Sequence, residues 1–295
     1  CRYRMVGCCR PTLLLNSYYE FKDLVIIIKL KVMSQKANTF EIILGRVEHI
    51  NASHFNCLSF SKASDIVNGI NVRLTNMAGG YPFDFAGTTW HDSEMLYLCG
   101  EFSEKSPLHQ NIQEQIRNQT SGFAAKRFIK NKHKGLIRKD FADFRVQWML
   151  FVVWQKCKGN AEFARLLSQI SQDAVIIENT TKQRCESKEV WGCSNHELTI
   201  YRDLVANKVV EQAKVSNPKI SKKALIELVA QETGKINNIG IFTGQNNLGK
   251  ILMICRDCLI QGVEPPIDNA LLNRSNIYIL GRQLSFPTDK TSMSN

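Results

Sequence analysis

The side chains best placed for chemistry in this 295-residue chain gather around one carboxylate. Glu94 follows Asp92 and Ser93, either of which can cap a helix, so it falls in a first turn. There the positive end of the helix dipole favours an ionised carboxylate, which suits a base or a cation-stabilising role. Ordinary helix starts use the same Asp-x-Glu spacing. Lys126 sits in a basic run with Arg127, Lys130, Lys132 and Lys134. A partly desolvated Lys can lose its proton and attack a sugar carbon, or keep it and hold a phosphate. A Lys on a solvated helix gives the same pattern. Trp90 and Trp191 offer flat faces on which a purine can stack, or they fill a core. Gly244 and Gly249 flank Asn246 where a helical pattern opens, a layout that suits a phosphate and equally a loop needing small residues. Cys255 and Cys258 lie in one helical pattern with no second Cys pair of zinc-ribbon spacing, so no metal is expected, and no cofactor. The chain has no Gly-rich phosphate loop, zinc-protease helix or nucleophile elbow.

Elements must hold these residues in place. The mixture of β-branched and aromatic residues over 39–60 predicts short strands, and the alternation at Phe83–Phe85 predicts another, ending at Gly87. A helix from Asp92 or Ser93 to about Phe102 carries Glu94, and Gly122–Lys130 carries Lys126, after a short helix at Asn111–Gln119. The longest helical pattern is Phe141–Cys157, followed by one after Asn160, a strand at Ala174–Glu178 and a helical hairpin over 195–237 broken at Pro218. A core helix at Asn247–Gln261, a strand-like Ile277–Leu280 and a polar tail complete the reading.

Residues 76–102, NMAGGYPFDFAGTTWHDSEMLYLCGEF, resemble the NADAR family, also called YbiA-like. The likeness continues in order. Phe60-Ser61-Lys62 precedes the block, and Ala124-Ala125-Lys126, Arg145–Met149, Ala161–Leu167, Ile177-Glu178, Val190-Trp191-Gly192 and the run GQNNLGKILMICR at 244–256 follow it. It covers about residues 57–260, with an additional segment at about 195–240. Membership implies a helix-rich, compact α+β domain that cleaves N-glycosidic bonds. That chemistry passes through an oxocarbenium-like state and calls for a carboxylate near the anomeric carbon. The resemblance makes Glu94, Lys126 and Glu189 the catalytic residues, and Ser61, Asn76, Trp90, Trp191, Gly244, Asn246 and Gly249 the substrate-binding ones. Members commonly carry Asp two or three positions before the Trp. This chain has Lys188 and Glu189 there, after an insertion around Lys182–Glu186. The implied domain spans 47–264, with an N-terminal extension at 1–46 and a C-terminal tail at 265–295. The implied substrate is ADP-ribose on guanine of a nucleic acid. A phosphorylated riboflavin precursor, or ADP-ribose bound without efficient turnover, stays open.

Charge agrees with a phosphate-bearing partner without naming one. The chain carries +11 in all and residues 33–295 carry +7. No window approaches the roughly 20 apolar residues of a membrane helix. Ten scattered cysteines without a framework read as reduced thiols, and the chain as an intracellular, cytoplasmic protein. Residues 1–32 show no periodic pattern, so they are expected to be dispensable, with Met33 as an alternative start. The hairpin is expected to border the mouth of the site, where Lys219, Lys222 and Lys223 at its turn would meet a phosphate backbone.

Overall fold

The computed structural model describes residues 40–287 except 63, 64, 68, 69, 186 and 187. The expectation for residues 1–32 therefore lies outside the described residues. In chain order come β1 (Glu48–Asn51), β2 (Asn56–Phe60), β3 (Ile66–Val67), β4 (Ile70–Asn71), β5 (Phe83–Phe85) and β6 (Thr88–Trp90). The helices α1 (Ser93–Gly100), α2 (Pro107–Arg117) and α3 (Gly122–Lys132) follow, then a single 3-10 turn at Lys134–Leu136, α4 (Phe141–Gly159) and α5 (Ala161–Ser168). After β7 (Ala174–Glu178) come α6 (Lys188–Trp191), α7 (His196–Ser216), α8 (Lys222–Gly234), β8 (Ile241–Gly244), α9 (Asn247–Gln261), α10 (Asn269–Arg274), β9 (Tyr278–Ile279) and β10 (Arg282–Gln283). The fold is α+β, helix-rich with short strands paired two by two.

The centre is built on β7. Its continuous Ala-Val-Ile-Ile run is buried, as expected of a strand covered on both faces, and it pairs in parallel with β2 so that Phe60 stands opposite Glu178. From Asn247 to Cys258 every residue of α9 is buried; the helix packs on β7 and on α4. Single bridges, Asn179 to Cys193 and Ser194 to Thr243, link this pair to the antiparallel β1–β8 pair. Cys255 and Cys258 lie inside α9, where burial pushes both thiols up.

Several boundaries differ from the sequence expectation. Among the described residues the longest helix is α7, with 21 residues against 19 in α4. Residues 40–47 form no strand; within them the Ile43 and Arg46 carbonyls accept from Lys250 Nζ at 2.7 and 2.8 Å. Residues 265–287 are not a trailing tail. Leu272, Ile277 and Ile279 are fully buried, and Gln113 clamps the backbone of Tyr278 and Leu280 at 2.8 and 2.6 Å. The hairpin α7–α8 forms as expected, with Ser221 capping α8. It buries little: Leu198 in α7 and Gly234 in α8. Arg202 fastens it by donating to Ser59 Oγ at 3.0 Å, Asn237 Oδ1 at 2.9 Å and the Ile236 carbonyl at 3.0 Å. Among the described residues no helix is long and apolar enough to cross a membrane.

Candidate active site

One aspartate joins the two helices that carry the expected catalytic pair. Asp92 caps α1 through Oδ1, which accepts from Met95 N at 3.0 Å. Its Oδ2 accepts from Gly122 N at 2.8 Å, at the start of α3. The approach needs a residue without a Cβ: one built on Gly122 would stand 2.7 Å from Glu94 Cβ and 2.8 Å from Asp92 Oδ1. Ser121 caps α3, and one turn further Lys126 Nζ reaches Glu94 Oε1 at 3.5 Å. Glu94 is buried while the Lys126 side chain is half exposed. Asn76, also buried, hydrogen-bonds the Glu94 carboxylate, and its own Oδ1 accepts from Ser93 Oγ at 3.1 Å.

Glu94 and Lys126 share a cavity of about 310 Å³. Glu94, Tyr97, Leu98 and Glu101 line it from one face of α1, at the i, i+3, i+4, i+7 spacing that puts them in a row. Arg145 of α4, Lys139 and Trp191 close the other sides. Trp191 meets Tyr97 edge to face at 5.4 Å. Among the described residues Lys139 and Arg145 make no ion pair within 4.0 Å, so this wall offers positive charge, part of which acts on Glu101.

Burial sets the protonation of the carboxylates. It raises the Glu94 pKa, and the Lys126 charge is the main opposing influence. A Glu in a helix first turn was expected to be ionised by the dipole; here the ionised form depends on Lys126 and Asn76 as well. Glu178, at the end of β7, is pushed up to about 7 by burial, and the negative charge of Glu94 adds to the rise. Glu178 is half-buried as a residue, yet its Oε2 is shut away from solvent without a hydrogen-bond partner among the described residues. Glu101 is also raised to about 7 by burial and by Glu94. Lys126 is held protonated, its pKa raised by Glu94 against the effect of burial. A protonated amine is a poor nucleophile, so the position fits charge stabilisation or phosphate holding better than attack on a sugar.

The structure brings together Glu94, Lys126, Asn76 and Trp191, and leaves the other expected residues away from the cavity. Glu189 lies on α6 with its side chain exposed, and its backbone carbonyl accepts from Gln245 N at 2.6 Å. Trp90 is fully buried, its Nε1 donating to the Phe85 carbonyl at 3.2 Å, so no base can stack on it. Ser61 is exposed beside β2 and bonds Asp65. Asn246 is fully buried in the left-handed conformation (φ 50°), with Nδ2 donating to the Ile176 carbonyl and Oδ1 accepting from Glu178 N. Gly249 lets α9 close on the Ile176 carbonyl, and Gly244, at φ 150°, lets β8 close on the Gly192 carbonyl. Asn246 and Gly249 fix the end of β7, and with it Glu178, while Gly244 seats β8 against Gly192; none of the three offers a phosphate cradle. The expected hairpin border is also absent: no residue of α7 or α8 lines the cavity. Glu178 and Glu101 were missed as chemistry. Glu101 is the C-cap of α1, seven residues after Glu94, a spacing that was open to notice. Glu178 does not line the cavity; the β2–β7 pairing, which carries no local signal, places it where the charges of Glu94 and Lys126 act on it.

No family model matches the chain, and no curated protein matches it. Among solved structures, the NMR structure of the E. coli protein YbiA aligns with 70% of this chain and 86% of its own, at 20% identity and a TM-score of 0.44.

Proposed function

We propose that this protein is an N-glycosidase of the NADAR, YbiA-like kind. It hydrolyses the bond between an ADP-ribose or ribose-phosphate sugar and a nitrogen base, with ADP-ribose on guanine of a nucleic acid as the first candidate substrate. The observation that carries the reading is the pair Glu94–Lys126, with Oε1 and Nζ 3.5 Å apart, in a cavity that two further carboxylates influence. Two carboxylates in unlike surroundings divide the proton work. Glu94, with a cation and an amide on it, is the ionised member; it takes the proton of the attacking water and stabilises the cationic sugar. Glu101, which lines the same cavity and whose proton is retained by burial and by the charge of Glu94, supplies a proton to the departing nitrogen. One water adds across the bond, the sugar keeps OH, the base keeps H, and proton exchange with solvent resets the two groups. Trp191 supplies a flat wall, and Lys139 and Arg145 supply charge for a phosphate.

A second reading rests on size. About 310 Å³ holds a nucleoside phosphate more readily than a whole ADP-ribose, which favours a small phosphorylated riboflavin precursor. Incubation with an ADP-ribosylated guanine oligonucleotide, with a riboflavin-pathway intermediate, and with free ADP-ribose in a binding assay separates the cases. Release of ADP-ribose from the oligonucleotide supports the first reading, and turnover of the intermediate alone supports the second. Binding of ADP-ribose without any turnover overturns both.

A further inference from the structure

The segment 122–139 contains seven Lys and Arg residues and no Asp or Glu. On α3 the split between faces is sharp. Gly122, Ala125 and Ile129 are buried against the body, while Phe123, Lys126, Arg127 and Lys130 are exposed. Phe123, Arg127 and Lys130 stand at i, i+4 and i+7, a single stripe about 10 Å long at 1.5 Å per residue. Phe123 is 64% exposed, an unusual position for a large aromatic ring. The same helix carries Lys126 into the cavity, and the stretch after it contributes Arg138 and Lys139 to the cavity lining.

We infer that the exposed face of α3 and the turn after it, with Phe123 as a stacking platform and Arg127, Lys130 and Lys134 as phosphate contacts, is a docking surface for single-stranded nucleic acid that leads into the Glu94 cavity. A row of cations without acids attracts a polyanion, and an exposed ring beside it accepts an unpaired base. A duplex keeps its bases stacked inward and leaves the ring unused. A lipid surface fits less well, because the apolar side of α3 is spent on the protein core and one ring is too little to insert. The inference deepens the nucleic-acid form of the proposed function and rests on that reading for its biological sense, though the binding itself does not depend on turnover.

The test uses the full chain, an unmodified 20-nucleotide fluorescent single strand, and anisotropy titrations over a series of salt concentrations. Replacing Arg127, Lys130 and Lys134 together by Gln should flatten the slope of log affinity against log salt by about 2, since each single-strand phosphate contact contributes about 0.7. Phe123→Ala should weaken binding about tenfold at every salt concentration with the slope kept, and Phe123→Trp should restore it. The matching duplex should be indifferent to Phe123→Ala. A wild-type slope in the triple variant, wild-type affinity in Phe123→Ala, or preferential binding to anionic phosphatidylserine vesicles over the strand overturns the surface. Assay of the wild type on an ADP-ribosylated guanosine mononucleotide keeps the two failures apart. Hydrolysis without strand binding removes the surface and leaves the glycosidase; strand binding without hydrolysis does the reverse.

Discussion

The segment around α3 and the hairpin α7–α8 look alike in sequence. Each has a helix capped by a Ser, and each is basic, with seven cations and no acids over 122–139 against seven cations and four acids over 198–235. The structure separates them by attachment. α3 is drawn onto α1 through Gly122 and Asp92 and buries Ala125 and Ile129, so its charge is carried to within 3.5 Å of a buried carboxylate. The hairpin stands on a few anchors, Leu198, Gly234 and Arg202, and leaves Ile200 and Leu204 exposed. Positive charge becomes informative about function only where packing ties it to a cavity. The comparison can be broken at its strongest point first. Glu94→Gln keeps size and removes charge, and it should lower turnover at least about 1,000-fold with little change in melting temperature. A purified variant that keeps more than about a tenth of the wild-type rate takes the chemistry away from the α1–α3 side.

Glu101 and Glu178, the two carboxylates that burial raises to about 7, come next and tie the same side of the molecule to pH. If the proton of Glu101 goes to the leaving base, turnover should fall as pH rises through about 7, and Glu101→Gln should lose about 100-fold and flatten that limb. At Glu178 stability should fall over the same pH range. The folded pKa of Glu178 lies above the ordinary Glu value of about 4.3. The stability linked to its proton is therefore complete below that value and is lost as pH rises through 7. Glu178→Gln should accordingly melt on the order of 3 °C above wild type at pH 8, with the difference closing by pH 4. Equal melting differences at the two pH values would remove Glu178 from the buried-acid role.

What the sequence made legible follows from how local each signal is. Asp92 as a cap, β7 as a continuous apolar run, the Pro218 break and the Ser221 cap are all written within a few residues, and all appear where expected. Glu94 and Lys126 could be paired from the resemblance, while the physical cause of the pairing, the close approach at Gly122, depends on two helices meeting. Trp90 and Asn246 show the opposite limit. An aromatic residue beside a motif and an Asn between two glycines look like ligand contacts, and burial turns one into core and the other into a clamp on β7. Glu189 has the right distance along the chain, but α6 leaves it facing solvent.

Arg202 tests the hairpin's side of the comparison with a smaller, local effect. Arg202→Ala removes three hydrogen bonds that hold α7 to Ser59, Ile236 and Asn237, worth about 1–3 kcal/mol in attachment. Amide exchange should speed up across α7 and α8 while β7 and α9 stay protected, and turnover should change by less than about threefold. Loss of protection throughout would mean that the hairpin is part of the cooperative core.

The smallest effect is expected at the hairpin turn. Lys222 and Lys223 border a separate open cavity of about 620 Å³ against Ile66, Ile226 and Glu227, and neither they nor Lys219 line the Glu94 cavity. Lys219 lies in the turn itself, where its backbone N donates to Asn217 Oδ1 at 3.1 Å, and Lys222 and Lys223 open α8. At about 8 Å of screening length in physiological salt, exposed charges act on a strand only where it passes close by. If the strand follows α3 alone, replacing the three lysines by Gln should shift the salt slope by less than about half of one phosphate contact, against about three contacts for the α3 triple variant. A slope flattened by about 2 in the hairpin variant instead would show that the strand crosses both regions. The hairpin would then be a second arm of the nucleic-acid surface, and the division between α3 and the hairpin would fail at the level of binding while still holding for the chemistry at Glu94.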